Sequence, residues 1–169
     1  LNPRYRVFLR QERSVFDPAA HTKIFYITPR QKNDYMEIYH TQEDRFIYLP
    51  PGMNEKCRRP ADAEAIRERK RAELGLNKDQ LMLILVGSDF HRKGGDRAIL
   101  ALAALMQDIR RKTMLYLVGK TSFQHCSSLA KQLKISTNII FAGGRMDVPE
   151  LLLAADLMIH PARDEATGT

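Results

Sequence analysis

Arg92 and Lys93 are the side chains whose type and position best suit chemistry. They stand inside the run LMLILVGSDFHRKGGDR at 81–97. Six apolar residues, Leu81 to Val86, continue without a break and stop at Gly87, the pattern of a strand buried on both faces. Ala98, Ile99, Ala101, Leu102, Ala103 and Leu105 then recur at helical spacing. The order is strand, tight polar turn, helix. The helix is expected to start near Gly94–Asp96, with Asp96 as its cap. A helix N-terminus presents unpaired N–H groups and the positive end of a dipole, which suits an anion. With two cations just ahead of it, this turn reads as a cradle for a diphosphate. Asp89 is suited to tying the turn down through backbone N–H groups rather than to touching a ligand.

The elements around the turn repeat one unit. Thr113–Val118 is a strand ending at Gly119, Phe123–Leu133 a helix, and Asn138–Ala142 a strand ending at Gly143-Gly144. Val148–Ala155 is a short helix with Pro149 in its first turn, and Asp156–His160 a strand closed by Pro161. Strands and helices alternating through short loops make an α/β fold with a doubly wound parallel sheet. In such sheets the ligand lies beyond the carboxyl ends of the strands. Four groups converge there: Gly87 and Ser88 to Lys93, Gly119-Lys120, Gly143-Gly144-Arg145, and Arg163 to Gly168. Glycine lets the backbone approach a ligand closely, Arg92, Lys93 and Arg145 supply positive charge, and Glu165 supplies an acceptor for hydroxyls. A phosphorylated sugar or a nucleotide fits that set. Neither GxGxxG nor GxxxxGK[ST] occurs, which disfavours a nicotinamide dehydrogenase and a P-loop ATPase.

Before residue 81 the pattern is looser. Residues 1–20 read as a helix with Tyr5, Phe8, Leu9, Glu12, Val15 and Phe16 near one stripe, flanked by Arg4, Arg6, Arg10 and Arg13. Such a helix either lies on an anionic membrane surface or packs against another part of the protein with its arginines in solvent. Lys23–Thr28 is a short strand, Pro29–His40 a helix and Phe46–Leu49 a second extended run. Pro50-Pro51-Gly52 is a hinge. Ala61–Leu74 is a charged helix, closed by Gly75, with Ala65, Ile66, Arg69 and Glu73 at helical spacing; it reads as a solvated surface helix without chemistry.

The 169 residues carry a net charge of +7, which favours an anionic partner without naming one. Cys57 and Cys126 lie far apart and follow no metal-site spacing, so a reduced, cytoplasmic compartment is expected. No apolar run reaches the ~18 residues of a membrane span. The chain starts without Met and stops at Ala-Thr-Gly-Thr, so it is expected to be a piece of a longer protein. His160 reads as a structural histidine rather than a base, and His125 and Cys126 as inert helix residues.

Several runs in this order resemble glycosyltransferase family 4, of GT-B fold, in the branch that builds the lipopolysaccharide core. They are RYR at 4–6, RF at 45–46, LPPG at 49–52, VGSDF-x-RKG-x-DR at 86–97, VG at 118–119, GR-x-DV at 144–148 and AADL-x-x-HPA-x-x-EA-x-G at 154–168. The resemblance implies a Rossmann-like second domain, nearly complete, plus the tail of the first. Residues 1–49 would belong to the acceptor domain, 50–60 to the linker, and 61–169 to the nucleotide-sugar domain. It implies retaining transfer of glucose from UDP-glucose to an inner-core heptose, with no metal and no cofactor. Arg92 and Lys93 match the pair that neutralises the diphosphate, and Arg145 the residue over the uracil. Glu165 matches the first Glu of the family's E-x7-E pair, near the donor sugar. Thr167, Gly168 and Thr169 match the turn that presents N–H groups to the phosphates, with Gly87, Ser88 and Gly119 lining the same edge. The catalytic set implied is Glu165, Lys93 and Arg92.

Three departures stand out. The second Glu of the pair would fall past Thr169, and the glycine-rich loop of the first domain would precede Leu1. A phosphate-binding Arg expected after Pro-Pro-Gly aligns with Cys57, leaving Arg58 or Arg59 as substitutes one residue on. The partners implied are a UDP-sugar, a lipid-linked phosphorylated core oligosaccharide and an anionic membrane met by residues 1–16. The location implied is the cytoplasmic side of the inner membrane of a Gram-negative bacterium. A non-catalytic sugar-nucleotide-binding module is the alternative. Nucleic-acid binding ranks low, since no recognition motif or aromatic stacking platform is present.

Overall fold

The computed structural model describes residues 2–52, 55 and 58–164. The chain divides near residue 53 into two compact units.

The first unit holds α1 (Pro3–Phe16), β1 (Ile24–Tyr26), α2 (Pro29–Tyr39) and β2 (Phe46–Tyr48). The strands pair in parallel, Ile24 opposite Phe46 and Tyr26 opposite Tyr48. Both are shorter than their apolar runs. Helix α2 starts where Thr28 Oγ1 accepts the Gln31 N–H at 3.3 Å and ends at His40, which takes the left-handed conformation at φ 56°. The stripe on α1 divides. Phe16 stacks on Tyr35 at 3.9 Å, and the Tyr39 hydroxyl donates to Glu12 at 2.8 Å. Tyr5 and Phe8 remain exposed, at 53% and 65%. Arg45 is buried and donates to the carbonyls of Val15, Asp17 and Thr22, which hold the end of α1 to the start of β2. A buried guanidinium is tolerated there because carbonyl oxygens replace its water.

The second unit holds α3 (Ala63–Glu73), β3 (Leu81–Val86), α4 (Gly95–Ala104), α5 (Gln107–Lys112), β4 (Thr113–Val118), α6 (Gln124–Gln132), β5 (Ile139–Gly143), α7 (Val148–Ala154) and β6 (Leu157–Met158). Its sheet runs β5-β4-β3-β6 and every pairing is parallel. Side chains alternate between two cores. Leu85, Leu115 and Leu117 face Ile99, Leu102, Cys126 and Ala130 of α4 and α6. Met82, Ile84, Tyr116 and Val118 face Leu151 and Ala154 of α7. Burial on both faces explains why β3 and β4 are apolar throughout rather than alternating. The strand order reverses at β3, with β4 on one side and β6 on the other, and that reversal opens a crevice at the carboxyl ends.

Two expectations need correction. Helix α3 is not a solvated helix. Ala65, Arg69 and Glu73 are exposed, while Ala63 and Lys70 are buried and Ile66, Arg67 and Arg71 half-buried, so the helix has an inner face where the sequence reads as solvated throughout. That face is charged because it meets carbonyls and carboxylates. Arg67 donates to the carbonyls of Leu153, Ala154 and Ala155 at the end of α7, and Arg71 to those of Ala154, Asn77 and Gln80. Nor is Asp96 the N-cap of α4. Gly94 holds that place at φ 74°, where a Cβ would fall 2.0 Å from the Pro161 carbonyl oxygen. Only a glycine admits both the angle and the contact. Helix α5 escapes sequence reading because its six residues are too few to show a period.

Candidate functional site

The carboxyl edge of the second unit's sheet is built by backbone packed on backbone. The Gly87 N–H donates to the Val118 carbonyl at 2.9 Å, and the Gly119 N–H to the Gly143 carbonyl at 2.8 Å, carrying the ladders past the strands. A Cβ on Gly119 would lie 1.7 Å from the Gly87 carbonyl oxygen. Glycine is therefore required at 119 for this approach, whatever binds above it.

Two of the glycines make room for lysine stems instead. A Cβ on Gly87 would meet Lys93 Cγ at 2.8 Å, and one on Gly144 would meet Lys120 Cγ at 2.3 Å. Lys93 thus lies over the end of β3, and Lys120 reaches from the end of β4 to the end of β5. Lys120 was grouped with this edge by sequence but assigned no role; its seat on Gly144 brings it there.

The turn between β3 and α4 is held from within. Asp89 Oδ1 accepts the N–H groups of His91 and Arg92, each at 3.1 Å, and the Asp89 carbonyl accepts that of Lys93 at 2.8 Å. Asp89 ties the turn down as its residue type suggests. The Gly95 N–H donates to the Phe90 carbonyl at 2.7 Å, and the Gly94 N–H to the His91 carbonyl at 3.4 Å. The backbone of the turn thus takes up the first N–H groups at the entry to α4. What the turn offers an anion is charge: Lys93, half-buried, the exposed Arg92, and the dipole of α4. Phe90 points inward and meets Phe123 in a tilted contact, and Phe123 meets Phe141, both at 5.1 Å between centroids.

Across the strand reversal, the segment after β6 is strapped to this turn. Arg163 pairs with Asp96 through both guanidinium nitrogens, at 2.9 and 2.5 Å, and also donates to the His91 carbonyl. Its backbone N–H donates to the Arg92 carbonyl at 2.8 Å. Arg97 returns the contact, donating to the carbonyls of Pro161 and Ala162 at 3.3 Å. Arg163 stands in the sequence only as the start of the 163–168 group, since its partner Asp96 lies 67 residues earlier in the chain. The charge beside it holds the Asp96 carboxyl down at about 2.

Arg145 lies at the end of β5, where its guanidinium forks onto Asp147, Nε to Oδ1 at 2.8 Å and Nη2 to Oδ2 at 2.6 Å. Arg59 pairs with Glu64, Ser88 is exposed, and Cys126 is buried beside Phe90 and Gly95. Glu165, Thr167, Gly168, Thr169 and Cys57 lie outside the described residues. Of the rest, Gly87, Lys93 and Gly119 come together at the β3–β4 edge, with Ser88 and Arg92 in the adjoining turn.

A parallel, doubly wound domain with a cationic turn at its strand reversal is a nucleotide-type architecture. Residues 66–169 match the family model for glycosyl transferases group 1, and the chain belongs to that family. It is 40% identical over 168 residues to the lipopolysaccharide glucosyltransferase WaaG of Escherichia coli K12, covering 99% of this chain and 45% of that protein. Its fold matches the crystal structure of WaaG, a glycosyltransferase involved in lipopolysaccharide biosynthesis, with a TM-score of 0.91 at 39% identity over 98% of this chain and 45% of that one. The architecture is thus that of the GT-B glycosyltransferases. Anabaena Alr3699/HepE, solved in complex with UDP, shares the fold at a TM-score of 0.74 and 16% identity, over 86% of this chain and 39% of its own. The chain spans just under half the length of these relatives.

The Asp96–Arg163 pair makes a prediction about acid stability. A carboxyl held below its usual value stabilises the fold fully above an ordinary value of about 4, and that contribution is lost as pH falls through about 2. Arg163→Gln should lower stability at neutral pH and raise the Asp96 carboxyl pKa, read by carbon-detected NMR titration. An Asp96 titration unchanged by the substitution would contradict the pairing.

Proposed function

We propose that this chain carries the donor site of a retaining, metal-independent family 4 glucosyltransferase, which moves glucose from UDP-glucose to a heptose of the lipopolysaccharide inner core. Residues 1–49 are read as the tail of the acceptor domain, 50–60 as the linker, and 61–169 as the nucleotide-sugar domain. The observation that carries the reading is the seat of the Lys93 stem over Gly87, at the carboxyl end of β3 and beside the strand reversal. The similarity to WaaG supports the acceptor class, and the UDP complex of a protein of like fold supports a nucleotide-sugar donor.

In the transfer, the bond from the anomeric carbon to the β-phosphate oxygen breaks. The acceptor hydroxyl oxygen bonds to that carbon on the same face, and its proton passes to the departing β-phosphate oxygen. Negative charge builds on the departing UDP, and Lys93, Arg92 and the dipole of α4 stabilise it. A preorganised cation is worth most where charge develops in the transition state. Gly87, Ser88 and Gly119 line this edge, and Arg145 is assigned to the uracil. Glu165 beside the donor sugar, and Thr167, Gly168 and Thr169 at the phosphates, are assigned on the motif alone. No cofactor is assigned.

The acceptor is lipid-linked, and α1 suits the anionic cytoplasmic face of an inner membrane. Arg4, Arg6, Arg10 and Arg13 are exposed, as are Tyr5, Val7 and Phe8. Among the described residues no helix is long and apolar enough to cross a membrane.

In the full-length protein, Lys93→Ala should lower turnover at saturating donor by about a hundredfold, in line with the loss of one preorganised charge contact. Unchanged turnover would reject the role. Replacing Arg4, Arg6, Arg10 and Arg13 by Gln should abolish cosedimentation with phosphatidylglycerol vesicles. Retained cosedimentation would remove the membrane role of α1.

A further inference from the structure

Among the described residues of the second unit, Lys70 is the most deeply placed cation, with a side chain only 5% exposed. Three carboxylates surround its ammonium: Glu73 at 2.8 Å, Asp147 at 3.0 Å and Glu150 at 3.0 Å. An ammonium has three N–H donors and no acceptor, so its hydrogen-bonding capacity is filled. Asp147 is shared. Its Oδ2 accepts from both Lys70 and Arg145, while its Oδ1 accepts from Arg145 Nε. Arg69 adds a contact to Glu150 at 3.4 Å. Three cations and three carboxylates therefore form one neutral group that joins the middle of α3 to the loop after β5. The carboxyl of Asp147 is driven well below the usual range, first by Arg145 and then, against the cost of burial, by Lys70.

We infer that Lys70 is a positioning residue for the donor's base, holding Asp147 so that Arg145 keeps its plane and place at the end of β5. The inference rests on the assignment of Arg145 to the uracil made above. Its physical basis is the balance of charge. Arg145 is exposed, and an exposed ion pair holds little by itself. Asp147 can hold Arg145 only if Asp147 is held in turn, and the buried Lys70 is the group that does so. Without Lys70, Glu73, Asp147 and Glu150 converge with one charge uncompensated. Repulsion then moves Asp147, the least exposed of the three, and the guanidinium forked upon it. Helix α3 contacts no donor atom in this scheme and acts through the one carboxylate.

The test is calorimetric titration of the full-length protein with UDP and, separately, with inorganic pyrophosphate. Lys70→Met should weaken UDP binding about tenfold, a coupling in the range found for contacting charged residues, and leave pyrophosphate binding within about twofold. Lys70→Arg should restore most of the UDP affinity. In an Arg145→Ala background, Lys70→Met should add less than about a twofold loss. Asp147→Asn should show the same non-additivity with Arg145→Ala, and it decides the matter if Lys70→Met does not fold. Equal loss of UDP and pyrophosphate binding, or losses that add fully in the Arg145→Ala background, would make Lys70 a structural residue only and overturn the inference. A wild-type protein that binds no UDP would overturn the donor reading, and the inference with it. Bound UDP with additive variants would overturn the inference alone.

Discussion

Backbone packed against backbone at the end of β3 is the constraint on which the second unit's functional edge depends. Gly119 must lack a Cβ because the Gly87 carbonyl oxygen occupies that space, and Gly94 because the Pro161 carbonyl does. These two contacts draw together the ends of β4 and β6 on either side of β3. With the edge closed, the turn at 88–94 is short enough to fold back, and the Lys93 stem comes to rest on Gly87. The stem of Lys93 is placed by the backbone it packs on. An electrostatic catalyst requires that its charge be in position before charge develops on the substrate.

Hydrogen bonds within the turn accompany the closed edge. Asp89 takes up the N–H groups of His91 and Arg92, and the Phe90 carbonyl that of Gly95. Arg163 in turn balances Asp96, so the acid does not cancel the charge of Arg92 and Lys93. Asp89 organises the backbone of the turn, and Asp96 ties the turn to the segment after β6. A similar logic applies on the other face, where the basic residues of α3 are consumed by the end of α7 and by Asp147 and Asp156.

Much of this was legible in the sequence. The unbroken apolar runs of β3 and β4 announced a sheet covered on both faces, and the glycine that ends each run marked the edge that matters. The inner face of α3 was not legible, because a buried face lined by Arg67, Lys70 and Arg71 has the composition of a solvated one. Only its partners, 80 or so residues further along the chain, distinguish the two. The same limit applies to Arg163, whose role depends on Asp96 across the sheet reversal. The cap of α4 was misread for a local reason. Asp96 lies inside the first turn, where it pairs with Arg163, while the left-handed angle at the helix start needs Gly94.

The most direct test is a crystal structure of the full-length protein with UDP. The diphosphate should lie above Gly87, with an oxygen within hydrogen-bonding distance of Lys93 Nζ and the uracil toward Arg145. UDP bound elsewhere, or bound with its diphosphate turned away from the 87–93 turn, would contradict the account.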